Sequence, residues 1–129
     1  MNRAIENQIT AITKQAGDQD FCTNPGKSYT LPARFYQDPE IYELEKRAIF
    51  LDSWLYAGHV SQLQNPGDYL TAKIRDQNLF VIRSRSGELN AFYNVCAHRG
   101  HELLKGHGRT NLIVCPYHAW AYDFDGALK

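Results

Sequence analysis

Two short runs in this sequence set a cysteine close to a histidine: Cys96-Ala97-His98, and, after residues 99–114, Cys115-Pro116-Tyr117-His118. Thiolate and imidazole are transition-metal ligands, and each run supplies one of each. Two loops with such mixed donors suit a dinuclear iron–sulfur cluster in which both cysteines hold one iron and both histidines hold the other. Anionic sulfur favours the iron that stays ferric, whereas neutral imidazole favours the iron that takes the electron, so the chemistry is one-electron transfer. A single structural zinc also accepts two cysteines and two histidines. Its paired cysteines, however, usually stand about two to four residues apart and its paired histidines about three to five. Here Cys pairs with His inside each run, with one residue between Cys96 and His98.

Such loops need strands to carry them, and the texture around them is β-rich. Runs at 54–60, 68–74, 78–83, 89–95, 111–114 and 120–124 alternate with turn residues such as Asn65-Pro66-Gly67-Asp68, Ser86-Gly87 and Asp125-Gly126. Residues 89–95 deliver the chain to Cys96, and 111–114 deliver it to Cys115. The run at 120–124 reads as a strand left without its partner. Upstream, residues 1–15 have weak helical character, and Pro25, Gly26 and Pro32 within residues 17–36 predict an extended arm. Asp38 is a plausible N-cap, Pro39 suits the first helical position and Glu40 suits the positive end of the dipole. With Ile41, Leu44, Ala48 and Ile49 at helical spacing and Glu43 four residues before Arg47, the pattern predicts an amphipathic helix to about residue 53.

The chain has 129 residues, 43% of them hydrophobic, which suits one core. Fourteen basic against fourteen acidic residues leave no electrostatic footprint for nucleic acid. Residues 1–20 are too polar for a secretion signal and no stretch is long and apolar enough to span a membrane, so the reading is soluble and cytoplasmic. In a reducing compartment, cysteines beside histidines point to metal before disulfide. Cys22, in a turn-rich stretch, reads as an ordinary free thiol, and His59 and His107 as structural and surface residues respectively.

At Cys96-Ala97-His98-Arg99-Gly100-His101-Glu102-Leu103-Leu104 and Cys115-Pro116-Tyr117-His118-Ala119-Trp120 the sequence resembles the α subunits of Rieske non-haem iron ring-hydroxylating oxygenases. Phe21-Cys22, the 38–54 region and Ala91-Phe92-Tyr93-Asn94-Val95 share that look, so the resemblance covers nearly the whole chain. The run from His101 to Leu104, with Ala119 before Trp120, is most like the branch acting on quaternary amines such as carnitine and glycine betaine. The resemblance implies a mostly β fold: a Rieske-type antiparallel β-sandwich with two cluster-binding loops over 54–129, preceded by an arm and amphipathic helix over 1–53. It implies Cys96, His98, Cys115 and His118 as ligands of a Rieske 2Fe-2S cluster, with Arg99, His101, Tyr117 and Trp120 around them.

It further implies a reductase or ferredoxin as electron donor, a homotrimer, and a mononuclear Fe(II) in a C-terminal domain, so that the chain reads as an N-terminal part able to carry electrons but not to activate oxygen. A free-standing Rieske ferredoxin is the other reading, and it leaves the first 53 residues without a purpose. Ala119 stands where this family often has glycine, which predicts a backbone there without positive φ. Respiratory Rieske proteins join their loops by an extra cysteine pair, where this chain has His101 and Tyr117. No bridge and few hydroxyl donors near the sulfurs predict a potential nearer about −150 than +300 mV.

Overall fold

A computed structural model of the protein describes residues 7, 10, 11, 24–27 and 30–129. Cys22 and most of the expected N-terminal helix and arm lie outside the described residues. The chain divides into two compact units, Met1–Leu55 and Tyr56–Lys129.

In the first unit a 3₁₀ turn, Pro25–Lys27, precedes two helices, α1 (Arg34–Gln37) and α2 (Pro39–Glu45). Helix α1 lies where an extended arm was expected; the prolines at 25 and 32 come before it and leave Arg34–Gln37 free to coil. Helix α2 begins as its sequence dictates: the Asp38 carboxylate accepts the Glu40 N–H at 2.9 Å and Pro39 takes the position that needs no N–H donor. It does not run to residue 53. From Lys46 to Phe50 the backbone widens into a π-helix, and a bend follows. The extra residue per turn carries later positions off the face that Ile41 buries, leaving Ile49 exposed. It also redirects the ion pair. Glu43 meets Lys46 at 3.9 Å, three residues on, and not Arg47.

The second unit is built on a four-stranded antiparallel sheet in the order β3-β2-β1-β4, with β1 (Asp68–Ile74), β2 (Gln77–Arg83), β3 (Leu89–Tyr93) and β4 (His107–Arg109). Alternation in β2 buries Phe80 and Ile82, and Phe80 pairs in register with Phe92 of β3, their rings 5.5 Å apart. A second, two-stranded sheet joins β5 (Ile113–Val114) to β6 (Ala121–Tyr122). Ile113, Tyr122 and Phe124 from this sheet region pack with Phe80, Ile82, Cys96 and Cys115 in one core.

Three strand expectations change. Residues 54–60 form no strand; the segment ends in a 3₁₀ turn, Val60–Gln62, capped by His59, whose Nδ1 accepts the Ser61 N–H at 3.2 Å while Gln62 Oε1 accepts the His59 N–H at 3.0 Å. His59 was read from the sequence only as structural, and the fold makes it a cap. The run at 120–124 is not without a partner: β6 pairs with β5, and the Asp125-Gly126 turn brings Leu128 back to bridge Tyr122. His107 lies in edge strand β4 and not in a turn, its side exposed to solvent.

One glycine is obligatory. Gly67 has φ +84°, and a Cβ there would overlap the Thr110 carbonyl oxygen, because the Thr110 N–H bonds the Gly67 carbonyl at 3.0 Å. That contact holds the β5 approach against the start of β1. Alongside it Arg109 of β4 donates to the Asp68 carboxylate at 2.6 Å, drawing it down to a pKa of about 2 from an ordinary 3.8. The same carboxylate accepts the Asn65 N–H at 2.8 Å.

Candidate metal centre

The two Cys/His runs fold into loops of the same design. In the first, the Cys96 N–H donates to the His101 carbonyl at 2.8 Å and the Gly100 N–H to the Cys96 carbonyl at 2.9 Å. In the second, the Cys115 N–H donates to the Trp120 carbonyl at 2.8 Å and the Ala119 N–H to the Cys115 carbonyl at 2.9 Å. The fifth residue of each turn is left-handed: Gly100 at φ +70°, Ala119 at φ +60°. A positive φ is therefore required at 119 despite the Cβ, which corrects the expectation drawn from alanine there; two closing hydrogen bonds outweigh a strain of about 1–2 kcal/mol.

A buried amide ties the first loop to the sheet. Asn94, 3% exposed, donates through Nδ2 to the Leu104 carbonyl at 2.7 Å and accepts the Leu103 and Leu104 N–H groups at 3.1 and 2.9 Å. Its role passed unnoticed in the sequence because its partners lie about ten residues on and belong to no recurring spacing. A polar residue ending an alternating strand, just before a candidate ligand, was the available signal.

The four candidate ligands come together in two like pairs. Cys96 and Cys115 are buried and free of any disulfide, and their sulfurs interact. The rings of His98 and His118 meet edge-on with centroids 4.7 Å apart. Among the described residues no three His, Cys, Asp or Glu side chains converge on one point as a mononuclear site requires. His98 Nδ1 is buried with no hydrogen-bond partner. A buried acceptor left unpaired is costly unless something else takes its lone pair, and a metal does so.

Around Cys96 the chain gathers donors. The Tyr122 hydroxyl lies 3.2 Å from Sγ and accepts the Ala97 N–H at 3.1 Å, which turns its own hydrogen towards the sulfur. That hydroxyl is the main reason the Cys96 thiol is drawn below its ordinary 9.0; burial opposes it, and the His98 N–H, the Cys115 sulfur and the Arg99 N–H add to it. The Tyr122 phenol is pushed up in turn, chiefly by the same contact. Few hydroxyl donors were expected near the sulfurs, and β6 pairing places one of them directly against Cys96. Arg99 acts through its backbone, its side chain being exposed.

The remaining sequence candidates are aromatic neighbours of the histidines. Trp120 stacks on His98 at 4.8 Å and 7°, Tyr117 covers His118 at 3.8 Å, and His101 reaches Tyr117 at 5.7 Å while bonding the Glu102 carbonyl at 2.7 Å. Five rings thus run in sequence across the tips of both loops. Buried sulfur below and half-covered imidazole edges above suit a group that must be insulated from water yet reached by electrons.

The comparisons with known proteins agree with this geometry. The model of the Rieske [2Fe-2S] domain matches residues 53–129. The carnitine monooxygenase oxygenase subunit of Acinetobacter baumannii is 50% identical over 111 residues, 85% of this chain and 30% of that protein. The glycine betaine monooxygenase oxygenase subunit of Chromohalobacter salexigens is 43% identical over 101 residues, 78% of this chain and 23% of that protein. This chain therefore spans about 30% of the length of the first of these and less of the second. Among solved structures, the quaternary ammonium Rieske monooxygenase CntA in complex with gamma-butyrobetaine matches with a TM-score of 0.79 and 50% identity, over 85% of this chain and 32% of that one. Naphthalene 1,2-dioxygenase from Rhodococcus sp. matches with a TM-score of 0.74 at 28% identity, over all of this chain and 27% of that one. With its mostly antiparallel β fold and its paired Cys/His loops, the chain belongs to the Rieske [2Fe-2S] domain family.

Proposed function

We propose that this chain is the electron-delivering part of a Rieske oxygenase of the quaternary-amine monooxygenase class, with Cys96 and Cys115 holding one iron and His98 and His118 the other. The observation that carries the assignment is the segregation of two buried thiols from two facing imidazoles, one with an orphaned nitrogen. When bound, the cluster supplies a reversible one-electron couple. The protein does the rest. The Tyr122 hydroxyl and the N–H groups of His98 and Arg99 stabilise charge on the Cys96 sulfur, the core beneath keeps water from it, and Trp120 and Tyr117 fix the imidazole planes.

The electron comes from a reductase or ferredoxin, enters across the imidazole edges and leaves by them towards a mononuclear non-haem iron. Support for the oxygenase context comes from the 111 aligned residues, which exceed the β domain and take in part of the helical unit that a free-standing ferredoxin would not need. The named substrates of the relatives, carnitine and glycine betaine, set the class to try first. No described helix is long and apolar enough to cross a membrane. By likeness to the oxygenase subunits, our reading places the protein in the cytoplasm as a homotrimer.

Dithionite reduction of the purified, red-brown protein should produce an EPR signal from one unpaired electron that is absent from the oxidised form. Cys96→Ser and His98→Ala should each abolish it. A colourless protein with one tightly held zinc overturns the assignment.

A further inference from the structure

The half-buried carboxylate of Glu102 is held by amides alone. Its Oε1 accepts from Asn78 Nδ2 at 2.6 Å and, at a longer 3.5 Å, from Asn94 Nδ2, while the Asn94 N–H donates to the Asn78 carbonyl at 2.8 Å. These three residues close a circuit of hydrogen bonds that joins the start of β2, the end of β3 and the segment leaving the first loop. No lysine or arginine among the described residues forms an ion pair with Glu102.

An ionised carboxylate can only accept, and that fixes how its partners stand. Asn94 has both Nδ2 hydrogens engaged, by Glu102 and the Leu104 carbonyl, and both Oδ1 lone pairs, by the Leu103 and Leu104 N–H groups. Turning the amide over would set oxygen against oxygen at Glu102 and at Leu104. The acceptor at 102 therefore helps to lock the amide that ties the first loop to the sheet.

The backbone of the same residue reaches the other way. The Glu102 carbonyl accepts from His101 Nδ1 at 2.7 Å, and the His101 ring lies 5.7 Å from Tyr117, which covers His118. His101 also closes the first loop, since its carbonyl accepts the Cys96 N–H at 2.8 Å. Glu102 stands where the sheet, the first loop and the cover of the second loop meet.

We infer that Glu102 is a positioning residue of the metal centre: anchored on Asn78 and Asn94, it sets the first loop and, through His101 and Tyr117, the imidazole plane of His118. Its acceptor oxygen serves this role, and its charge does not. The inference rests on the cluster reading above and adds the outer contacts that orient the ligands.

The test is pulsed EPR of the whole dithionite-reduced protein, which reads the couplings of the imidazole nitrogens bound to iron. Glu102→Gln keeps an acceptor oxygen and removes the charge; Glu102→Ala removes both. Asn78→Ala keeps the carboxylate but takes away its nearest donor, on a strand outside both loops. Asn90→Ala is the control. It removes an amide tie of the same kind from the other end of β3, where Asn90 Nδ2 donates to the Phe124 carbonyl at 2.9 Å and to Asp125 Oδ1 at 3.1 Å.

Glu102→Ala and Asn78→Ala should shift the nitrogen couplings in the same direction, and the double variant should shift them no further than the larger single one, because the two residues act through one bond. Glu102→Gln and Asn90→Ala should keep the wild-type couplings. If the alanine variants lose iron, the same order of variants is read from iron per chain. Glu102→Gln behaving like Glu102→Ala overturns the inference in favour of charge, and Asn90→Ala behaving like Asn78→Ala overturns it in favour of general loosening. Wild-type couplings in both alanine variants overturn it outright. Each of these leaves the cluster reading intact, whereas a wild-type protein without a reducible cluster overturns both.

Discussion

Among single residues, Tyr122 has the clearest consequence. Its hydroxyl is fixed by the Ala97 N–H and aimed at Cys96 Sγ, so it must strengthen its hydrogen bond when the sulfur becomes more negative. If the bond tightens by about 1 kcal/mol on reduction, the couple rises by about 40 mV for one electron. Tyr122→Phe should therefore lower the reduction potential by about that amount in protein-film voltammetry, with cluster content unchanged; an unaltered potential removes the hydroxyl from the account. Asn94 acts on geometry instead. Asn94→Ala leaves the Leu104 carbonyl and the Leu103 and Leu104 N–H groups without their partner, and should cost about 2–4 kcal/mol of stability in urea unfolding. Iron uptake should fall with it.

At the scale of elements, the two loops repeat one closing pattern, and the repeat exposes where the second carries strain. Gly100 adopts its left-handed conformation at no steric cost, whereas Ala119 does not. Ala119→Gly relieves that strain but frees the unfolded chain, and the balance should be a gain of about 0.5–1 kcal/mol, read as a higher thermal midpoint. Gly67→Ala should have the opposite effect. A methyl there meets the Thr110 carbonyl at a backbone angle that alanine resists, and a loss of about 3 kcal/mol or more is expected, with β4 and the β5 approach loosening first in hydrogen exchange. An unchanged midpoint would show that the β1–β5 crossing can shift without cost.

Across the whole domain two carboxylate anchors stand out, one joining distant parts of the chain and one closing its last turn. Asp68 binds Arg109 across β1 and β4, and Asp123 binds Lys129 at 2.8 Å around the final turn. Both carboxyls are held below their ordinary 3.8, Asp68 at about 2 chiefly through Arg109, Asp123 chiefly through Lys129. A depressed folded-state pKa means that the unfolded chain takes up the proton first as acid is added. The stabilisation is present above pH 3.8 and is lost as pH falls towards about 2. Asp68→Asn should flatten that acid limb in urea titrations between neutral pH and pH 2; equal slopes for variant and wild type would put the acid sensitivity elsewhere.

What could be read without a structure has causes that lie within a few residues. The Cys/His spacing and its one-electron chemistry, the Asp38-Pro39 helix start and the β2–β3 hairpin follow from ligand rules, capping and turn chemistry, all of them short-range. What the tertiary structure alone decided depends on partners far along the chain. Residues 54–60 carry strand-forming types but find no strand to pair with, β4 exists because β1 offers it an edge, and helix α2 widens at Lys46 for reasons no local propensity records. Tyr122 reaches Cys96 across 26 positions. The left-handed turn at Ala119 is closed by bonds within Cys115–Trp120, and what hid it is the residue type, since alanine seldom takes a positive φ. A sequence window contains the residues that could bind a metal; only the fold brings sulfur to sulfur and imidazole to imidazole, because that pairing joins loops whose separation along the chain exceeds any window.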